Sequence, residues 1–176
     1  MPSAVIVRAR LPSGLERLRR RAVDDAADGV PAHLTLLYPF IEPGDLHRGV
    51  RRALADVAAR HEPYAYGLAG PGSWPDTVYV RVEPVDPFIR LQSDLARAFP
   101  AFPIYGRDAD FEFVPHVTVA EGPAVADPTT VADPAWRALP VRATARAIEV
   151  IVRAGTERWR TIWRIGLGGR GRSGRR

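Results

Sequence analysis

The same four-residue pattern occurs twice in this chain, as HLTL at 33–36 and as HVTV at 116–119. Side chains two residues apart on a β-strand project from the same face of the sheet. Each segment therefore presents a histidine and a threonine on one face and two aliphatic side chains on the other. Such a strand must bury its aliphatic face, so we predict two half-buried strands. If these strands lie side by side, four polar groups converge on one site: His33, Thr35, His116 and Thr118.

Hydrophobic periodicity predicts strands and helices that alternate along the chain. The predicted helices cover 13–27, 45–61 and 87–99, and the predicted strands cover 4–10, 32–37, 64–68, 77–83, 112–120, 141–154 and 158–167. The gaps are irregular and include hairpins, which favours an α+β fold with mixed or antiparallel sheets over a doubly wound parallel sheet. Both halves contain a helix, a motif strand and a hairpin, so a duplicated architecture is a hypothesis. We expect one domain over 1–167 and a disordered, arginine- and glycine-rich tail over 168–176.

The composition excludes several classes of chemistry. The chain has no cysteine, which rules out a thiol nucleophile, a disulfide framework and a cysteine zinc site. All 25 residues in the Lys+Arg count are arginine, so a Walker A lysine, a Schiff base and a lysine–AMP intermediate are excluded. The net charge of +5 favours anionic partners. No segment approaches an apolar membrane span or a signal-peptide core. We expect a soluble cytoplasmic protein, and we expect it to be a monomer.

Two imidazoles and two hydroxyls suit the cleavage of a phosphodiester. In-line attack on phosphorus needs a base at the attacking oxygen and an acid at the leaving oxygen, and histidine serves as either near neutral pH. The threonine hydroxyls can donate hydrogen bonds to the non-bridging oxygens, where charge must be stabilised in the transition state. This chemistry requires no metal and no cofactor. The residues alone do not decide which histidine is the base.

The paired motifs resemble the two signature motifs of the 2H phosphoesterase superfamily, which includes the bacterial 2′-5′ RNA ligases and cyclic nucleotide phosphodiesterases. The surrounding PAHLTLLYPF and FVPHVTVA are similar to its 2′-5′ RNA ligase-like branch. The resemblance implies a bilobal α+β fold of two pseudo-symmetric lobes with flanking helices and a central cleft. It also implies metal-independent action on 2′,3′-cyclic phosphates or 2′-5′ bonds of RNA or nucleotides, with ATP-independent ligation as the reverse reaction. By position, the matching catalytic residues are His33, Thr35, His116 and Thr118.

Three further residues are candidates for substrate binding. Tyr38 follows the first motif and Tyr105 precedes the second, and an aromatic ring at a cleft mouth can stack on a nucleobase. For both tyrosines a place in the core is equally compatible with the sequence. Arg107 lies in a polar loop before the second motif and can contact phosphate. With so many arginines in the chain, a solvated surface position is the simpler interpretation of Arg107.

Two alternative functions stay open on the sequence alone. The arginine excess and the basic tail are compatible with an RNA-binding module that has this fold but little or no catalysis. Its binding would weaken steeply with salt and would not depend on His33. A metal-dependent hydrolase that uses the same histidines is a weaker alternative, because threonine is a poor ligand and the carboxylates have no evident metal-site spacing.

Overall fold

The computed structural model describes residues 3–107, 112–125, 127–153, 155 and 158–169. Within these residues eight strands form two antiparallel sheets of four strands each. The strands are β1 Ser3–Arg8, β2 His33–Leu37, β3 Tyr64–Trp74, β4 Thr77–Glu83, β5 His116–Glu121, β6 Val141–Ala145, β7 Ala147–Val152 and β8 Arg160–Gly166. The α-helices are α1 Ser13–Ala22, α2 Asp24–Ala27, α3 Arg48–Ala58, α4 Asp86–Ala98 and α5 Pro128–Ala132.

The two sheets repeat one arrangement. The strand order is β2-β1-β7-β8 in the first sheet and β5-β4-β3-β6 in the second. In each sheet a motif strand lies at one edge and pairs with the strand before it in the chain, and at least one helix connects the two. The helices also exchange between the sheets, because α1 packs on β5 and α4 packs on β2. The predicted α+β fold of two pseudo-symmetric lobes is confirmed.

The aliphatic faces of the two motif strands meet in one core. Leu34, Leu36, Val117 and Val119 are all fully buried, and they belong to one hydrophobic cluster that draws on both sheets. Burying an aliphatic side chain of this size stabilises the fold by roughly 1.5–3 kcal/mol. Because the aliphatic residues point inward, the histidine and threonine of each strand must point to the opposite face, as the alternation predicts.

The predicted helix over 13–27 is interrupted. α1 ends at Ala22 because Val23 is extended, with φ −137° and ψ 114°, and α2 is a separate short helix. The extended backbone allows the Val23 side chain to be buried beside the cleft. The helix predicted over 45–61 begins later, at Arg48, because the His47 side chain accepts a hydrogen bond from the Gly49 N–H and so caps the helix.

The segment 69–76, which separates the predicted strands 64–68 and 77–83, is mostly strand. β3 continues to Trp74, and a register shift between Leu68 and Pro71 absorbs the Gly-Pro-Gly segment. β6 pairs with β3 only at 64–68, so Pro71 lies where β3 has no partner on that side. A proline without a ladder hydrogen bond to donate is tolerated at such an edge.

Strand boundaries in the second half also differ from the prediction. The strand predicted over 141–154 divides at Arg146, and its two parts enter different sheets: β6 pairs with β3 and β7 pairs with β1. The strand predicted over 112–120 begins only at His116. From residue 170 onward the predicted tail lies outside the described residues. Among the helices of the described part, none has the length and apolar character of a bilayer span.

Candidate active site

The two motif strands contact each other as the facing edges of the two sheets. His33, Thr35 and Thr118 line a cavity of about 180 Å³ between the sheets. His116 and Thr118 line a neighbouring cavity of about 450 Å³. Since Thr118 lines both cavities, the two spaces adjoin and form one cleft. The structure therefore brings the four predicted residues to a single site.

Both histidines are oriented by the same contact with the backbone. Nδ1 of His33 lies 2.8 Å from the carbonyl oxygen of Pro31, and Nδ1 of His116 lies 2.7 Å from that of Val114. A carbonyl oxygen only accepts hydrogen bonds, so each Nδ1 carries the proton and donates it. In the neutral form Nε2 of each ring is then an acceptor. Nε2 of His33 is 3.1 Å from Oγ1 of Thr35, whose hydroxyl donates to it.

Burial favours the neutral form of both imidazoles. Burial, together with the nearby positive charges of Arg19, His116 and Arg8, lowers the pKa of His33 to about 4, against the raising effect of the Pro31 carbonyl. Burial also lowers the pKa of His116, against the raising effect of its own carbonyl partner. A neutral imidazole with Nε2 unprotonated is ready to accept a proton, so the site at rest contains two potential bases and no acidic imidazole.

The surroundings of His116 are aromatic. Its ring packs against Trp74 and Tyr79 in edge-to-face geometry, with ring centroids 4.7 Å and 5.3 Å apart. Trp74 and Tyr79 also contact each other, at 4.3 Å. Trp74 was not among the predicted site residues, because it lies between the predicted strands 64–68 and 77–83. The long β3–β4 hairpin instead carries it to the second motif, and it forms one wall of the larger cavity.

All three predicted substrate-binding residues line the cleft. Tyr38 lines the smaller cavity, Arg107 lines the larger one and Tyr105 lines both. The Tyr105 phenol hydrogen-bonds with the side chain of Thr35, and burial raises its pKa. Tyr105 has a positive φ of 54°, which is uncommon for a residue other than glycine. Their positions are compatible with substrate binding, and that role stays a prediction.

Arg19 is a buried cation that sequence analysis missed. It is only 2% exposed and lines the smaller cavity together with His33 and Thr35. Its Nη1 donates to the carbonyl oxygen of Val30 at 3.0 Å, and it lies 3.9 Å from a carboxylate oxygen of Glu16. Burial lowers its pKa, but an arginine remains protonated in proteins. Among the described residues that line the smaller cavity, Arg19 supplies the one fixed positive charge.

The cleft also contains the carboxylate of Glu121. Glu121, at the end of β5, lines both cavities. Burial raises its pKa, and the charges of Asp25 and Asp24 raise it further. Across the described residues no three histidine or acidic side chains converge as a metal site would require.

Residues 7–157 match the family model described as the 2′-5′ RNA ligase superfamily. The chain belongs to this superfamily. The resemblance of the paired motifs to the 2H phosphoesterases is thereby confirmed at the level of the family, which is a phosphoesterase family.

Curated relatives align with this chain over little more than half of its length. The Geobacillus kaustophilus protein GK0864, whose name proposes a phosphoesterase, is 28% identical over 103 residues, which are 57% of each chain. A Bacillus cytotoxicus protein of the same proposed class is 25% identical over 95 residues, 52% of each chain. The alignment thus spans little more than half the length of these relatives.

Solved structures share the fold over almost the whole chain. The Thermus thermophilus protein TT0787 has a TM-score of 0.58 and 20% identity, and the match covers 97% of this chain and 100% of that one. E. coli LigT complexed with phosphate has a TM-score of 0.52 and 17% identity, with coverage of 94% and 96%. At these identities the likeness shows the fold alone, and it agrees with the bilobal architecture described above.

Proposed function

We propose that the chain is a metal-independent phosphoesterase that acts on 2′,3′-cyclic phosphates or 2′-5′ phosphodiester bonds of RNA or nucleotides. The observation that carries the proposal is the matched pair of histidines, each with Nδ1–H donated to a backbone carbonyl and Nε2 left to exchange a proton. Both line one cleft between the sheets. E. coli LigT, which shares the fold, has been solved complexed with phosphate and with NADP+, and these ligands are of the expected chemical class.

The hydrolysis of a 2′,3′-cyclic phosphate needs two proton transfers. Nε2 of one neutral imidazole takes a proton from the attacking water while the new P–O bond forms. Nε2–H of the other imidazole, protonated, donates to the ribose oxygen whose P–O bond breaks. Each transfer contributes about 10²–10⁴-fold to the rate. Because burial lowers the pKa of both imidazoles, the arriving phosphate anion must supply the charge that favours protonation of one of them.

The remaining side chains stabilise the charge that develops on phosphorus-bound oxygens. Thr35 and Thr118 line the cleft. The Thr118 hydroxyl can donate to a non-bridging oxygen, and the Thr35 hydroxyl can do so when its single proton turns away from Nε2 of His33. We assign Arg19 to the same task, because it is a buried guanidinium with one hydrogen bond to the backbone and further N–H groups to donate. A fixed donor in a site with little water stabilises transition-state charge more than one in bulk solvent.

The same residues account for ligation as the reverse reaction. In ligation the 5′-hydroxyl of one strand takes the place of water and attacks the phosphorus of a 2′,3′-cyclic phosphate. The base accepts its proton and the acid protonates O3′ as the P–O3′ bond breaks, which leaves a 2′-5′ bond. In the cleavage of that bond the 3′-hydroxyl attacks, the 5′-oxygen leaves, and the two histidines exchange these roles. No adenylated lysine can take part, because the chain has no lysine. Joining would therefore be independent of ATP and would be limited by the equilibrium between cyclic phosphate and linear bond.

The decisive experiment offers the purified protein, in EDTA, a panel of phosphodiesters. The panel contains the four 2′,3′-cyclic mononucleotides, a cyclic-phosphate-ended oligonucleotide, and matched 2′-5′ and 3′-5′ dinucleotides. We expect turnover of the cyclic phosphates or the 2′-5′ dinucleotide, with the 3′-5′ dinucleotide intact. Folded protein that turns over no member of the panel would overturn the proposal. Activity that requires an added divalent metal would instead favour the metal-dependent alternative.

A further inference from the structure

A second depression of about 570 Å³ lies beside the ends of β1, β6, β7 and β8. Its lining is dominated by five exposed arginines, here called the arginine groove: Arg8, Arg10, Arg142, Arg146 and Arg164. Among the described residues one carboxylate lines it, that of Glu149, which is 5% exposed. None of these arginines belongs to the histidine–threonine motifs, and the proposed reaction leaves them without a role.

Strand register connects the groove to His33 on the first sheet. Arg8 pairs directly with His33, and directly opposed residues of antiparallel strands project from the same face. Thr35 pairs with Ile6 on β1, and Ile6 pairs with Glu149 on β7. Glu149 pairs in turn with Arg164 on β8. The arginines of this sheet therefore lie on the face that carries the first motif.

Strand register connects the groove to His116 on the second sheet as well. Arg81 pairs with His116, and Glu83, two residues further on, projects from the same face. Glu83 shares its cross-strand row with Gly67 and Arg142. Arg8 and Arg164 thus lie on the motif face of the first sheet, and Arg142 lies on the motif face of the second, so a strand bound at the histidines can reach the groove.

The groove carries a clear excess of positive charge. Arg8 compensates the buried Glu149, with Nη2 2.7 Å and Nε 3.1 Å from its carboxylate oxygens. For Arg10, Arg142 and Arg146 no carboxylate of the described residues lies within ion-pair distance of 4.0 Å. Exposed guanidinium groups without acidic partners are the residues that proteins use for phosphate recognition.

We propose that the arginine groove holds the sugar–phosphate backbone of single-stranded RNA next to the reacting phosphate. The inference rests on the proposed function and makes oligonucleotides, rather than mononucleotides, the preferred substrates. On the first sheet the groove crosses β1, β7 and β8, which are two strand spacings or roughly 10 Å. A stacked strand carries one phosphate per about 3.4 Å, so the groove accommodates about three phosphates besides the reacting one. Arginine contacts to phosphate carry no base information, so binding there is independent of sequence.

The experiment compares cyclic-phosphate-ended RNAs of increasing length, from the mononucleotide to an octanucleotide. We expect kcat/KM to rise with length by about tenfold and to level off near four or five nucleotides. The triple variant Arg10→Gln, Arg142→Gln, Arg146→Gln should abolish that rise, measured as the ratio of octanucleotide to mononucleotide kcat/KM. The matched control is Arg48→Gln, Arg51→Gln, Arg52→Gln, which removes the same charge from the exposed surface of α3 and should preserve the ratio.

A binding measurement separates failure of this inference from failure of the proposed function. Fluorescence anisotropy with a 3′-phosphate-ended octanucleotide, which needs no turnover, should show tight binding that weakens with salt. The plot of log K against log salt has a negative slope, and the groove variant should make this slope shallower by about 2. Each of the three lost contacts to a single strand contributes about 0.7. That result without any turnover would support the groove and contradict the phosphoesterase.

Other outcomes would overturn the inference. Turnover of the mononucleotide with no dependence on length, or equal binding by both triple variants, would show that the groove does not contact the strand. A groove variant that loses binding to anionic lipid vesicles but keeps its RNA affinity would assign the surface to a membrane instead. Circular dichroism melts of all variants establish that each comparison is made between folded proteins.

Discussion

The histidines of the two motifs make the same hydrogen bond to the backbone, but the surroundings of their rings differ. In both, the ring nitrogen Nδ1 donates to the carbonyl two residues earlier in the chain. His33 also contacts Thr35 and lies near the positive charges of Arg19 and Arg8, beside a cavity of about 180 Å³. His116 instead packs against two aromatic rings and opens on a cavity of about 450 Å³.

This difference separates what the strand determines from what the tertiary structure determines. The repeated strand geometry gives both imidazoles the same tautomer, while burial and neighbouring charges set how readily each accepts a proton. An acid–base pair works only if its members differ in protonation state. The additional cations act on His33, so we expect His33 to remain neutral as the base in hydrolysis and His116 to act as the acid.

The largest effect should follow removal of either imidazole. His33→Ala and His116→Ala should each lower kcat by about 10²–10⁴-fold. The double variant should be little worse than the worse single variant, because an acid and a base that act in one step are not additive. Single-turnover rates on a 2′,3′-cyclic mononucleotide measure both effects.

A third histidine provides the control. His47 caps α3 away from the cleft, and His47→Asn retains a good capping side chain, so its kcat should equal that of the original chain. A His33 or His116 variant that keeps about a tenth or more of the original kcat would show that the histidines do not act as a pair.

The next largest effect should come from Arg19. Arg19→Met should lower kcat/KM by about 10²-fold, because it removes a buried donor from the position where charge develops. Arg19→Lys keeps the charge but loses the fork of N–H groups, so it should recover part of the activity. The inhibition constant of inorganic phosphate, measured for both variants, should weaken in the same order.

Arg20 tests whether the Arg19 effect is specific. It lies on the same helix, is exposed, and pairs only with Glu16 among the described residues. Arg20→Met should leave kcat/KM and phosphate inhibition unchanged. If Arg19→Met melts like the original chain and keeps its phosphate inhibition, Arg19 does not contact the phosphate.

The local part of this site could be predicted from the sequence, because alternation along a strand is a local property. The buried aliphatic residues and the exposed polar residues of both motifs follow directly from a period of two. The family resemblance then indicated that the strands meet. The catalytic roles of His33, Thr35, His116 and Thr118 stay predictions, since only their placement has been observed.

The residues that sequence analysis missed depend on long-range packing. Arg19 falls on the stripe that α1 buries, with Leu15 and Leu18, and a charged residue on an apolar stripe was the available signal. Glu149, an acid inside the apolar strand AIEVIV, was a similar signal for the arginine groove. Trp74 gave none, because the extension of β3 depends on a register shift that is set by its partners. The passage from β6 to β7 likewise depends on long-range pairing, of β6 with β3 and of β7 with β1 and β8.

The pH dependence should report the two environments separately. In the free protein both histidine pKa values lie below the usual 6.5 because of burial. The productive form has His116 protonated and His33 neutral. As the pH falls below about 7, kcat/KM should rise because His116 gains its proton. Near pH 4, kcat/KM should decrease again because His33 gains its proton too. Above the optimum, kcat/KM should fall about tenfold per pH unit. An optimum at or above about pH 7 would contradict the burial of these rings.

The free energy of unfolding should depend on pH through the same two histidines. The unfolded chain binds protons on its imidazoles between the usual pKa of 6.5 and the folded value of about 4 for His33, whereas the folded chain does not. The free energy of unfolding should therefore decrease as the pH falls through this window. His33→Gln, measured by urea titration at both ends of the window, should lose less stability on acidification than the original chain does.

The smallest effect, and the one that best isolates the second motif, should follow Trp74→Ala. Loss of the indole exposes His116 to water, which relieves the desolvation that lowers its pKa. The alkaline limb of the kcat/KM profile should therefore move to higher pH, while the acid limb, which reports His33, should not move. Trp74 is 37% exposed, so the substitution should cost only about 1 kcal/mol of stability for the lost ring contacts. If both limbs move together, the two imidazoles titrate as one coupled system, and the separate environments seen in the structure do not assign acid and base.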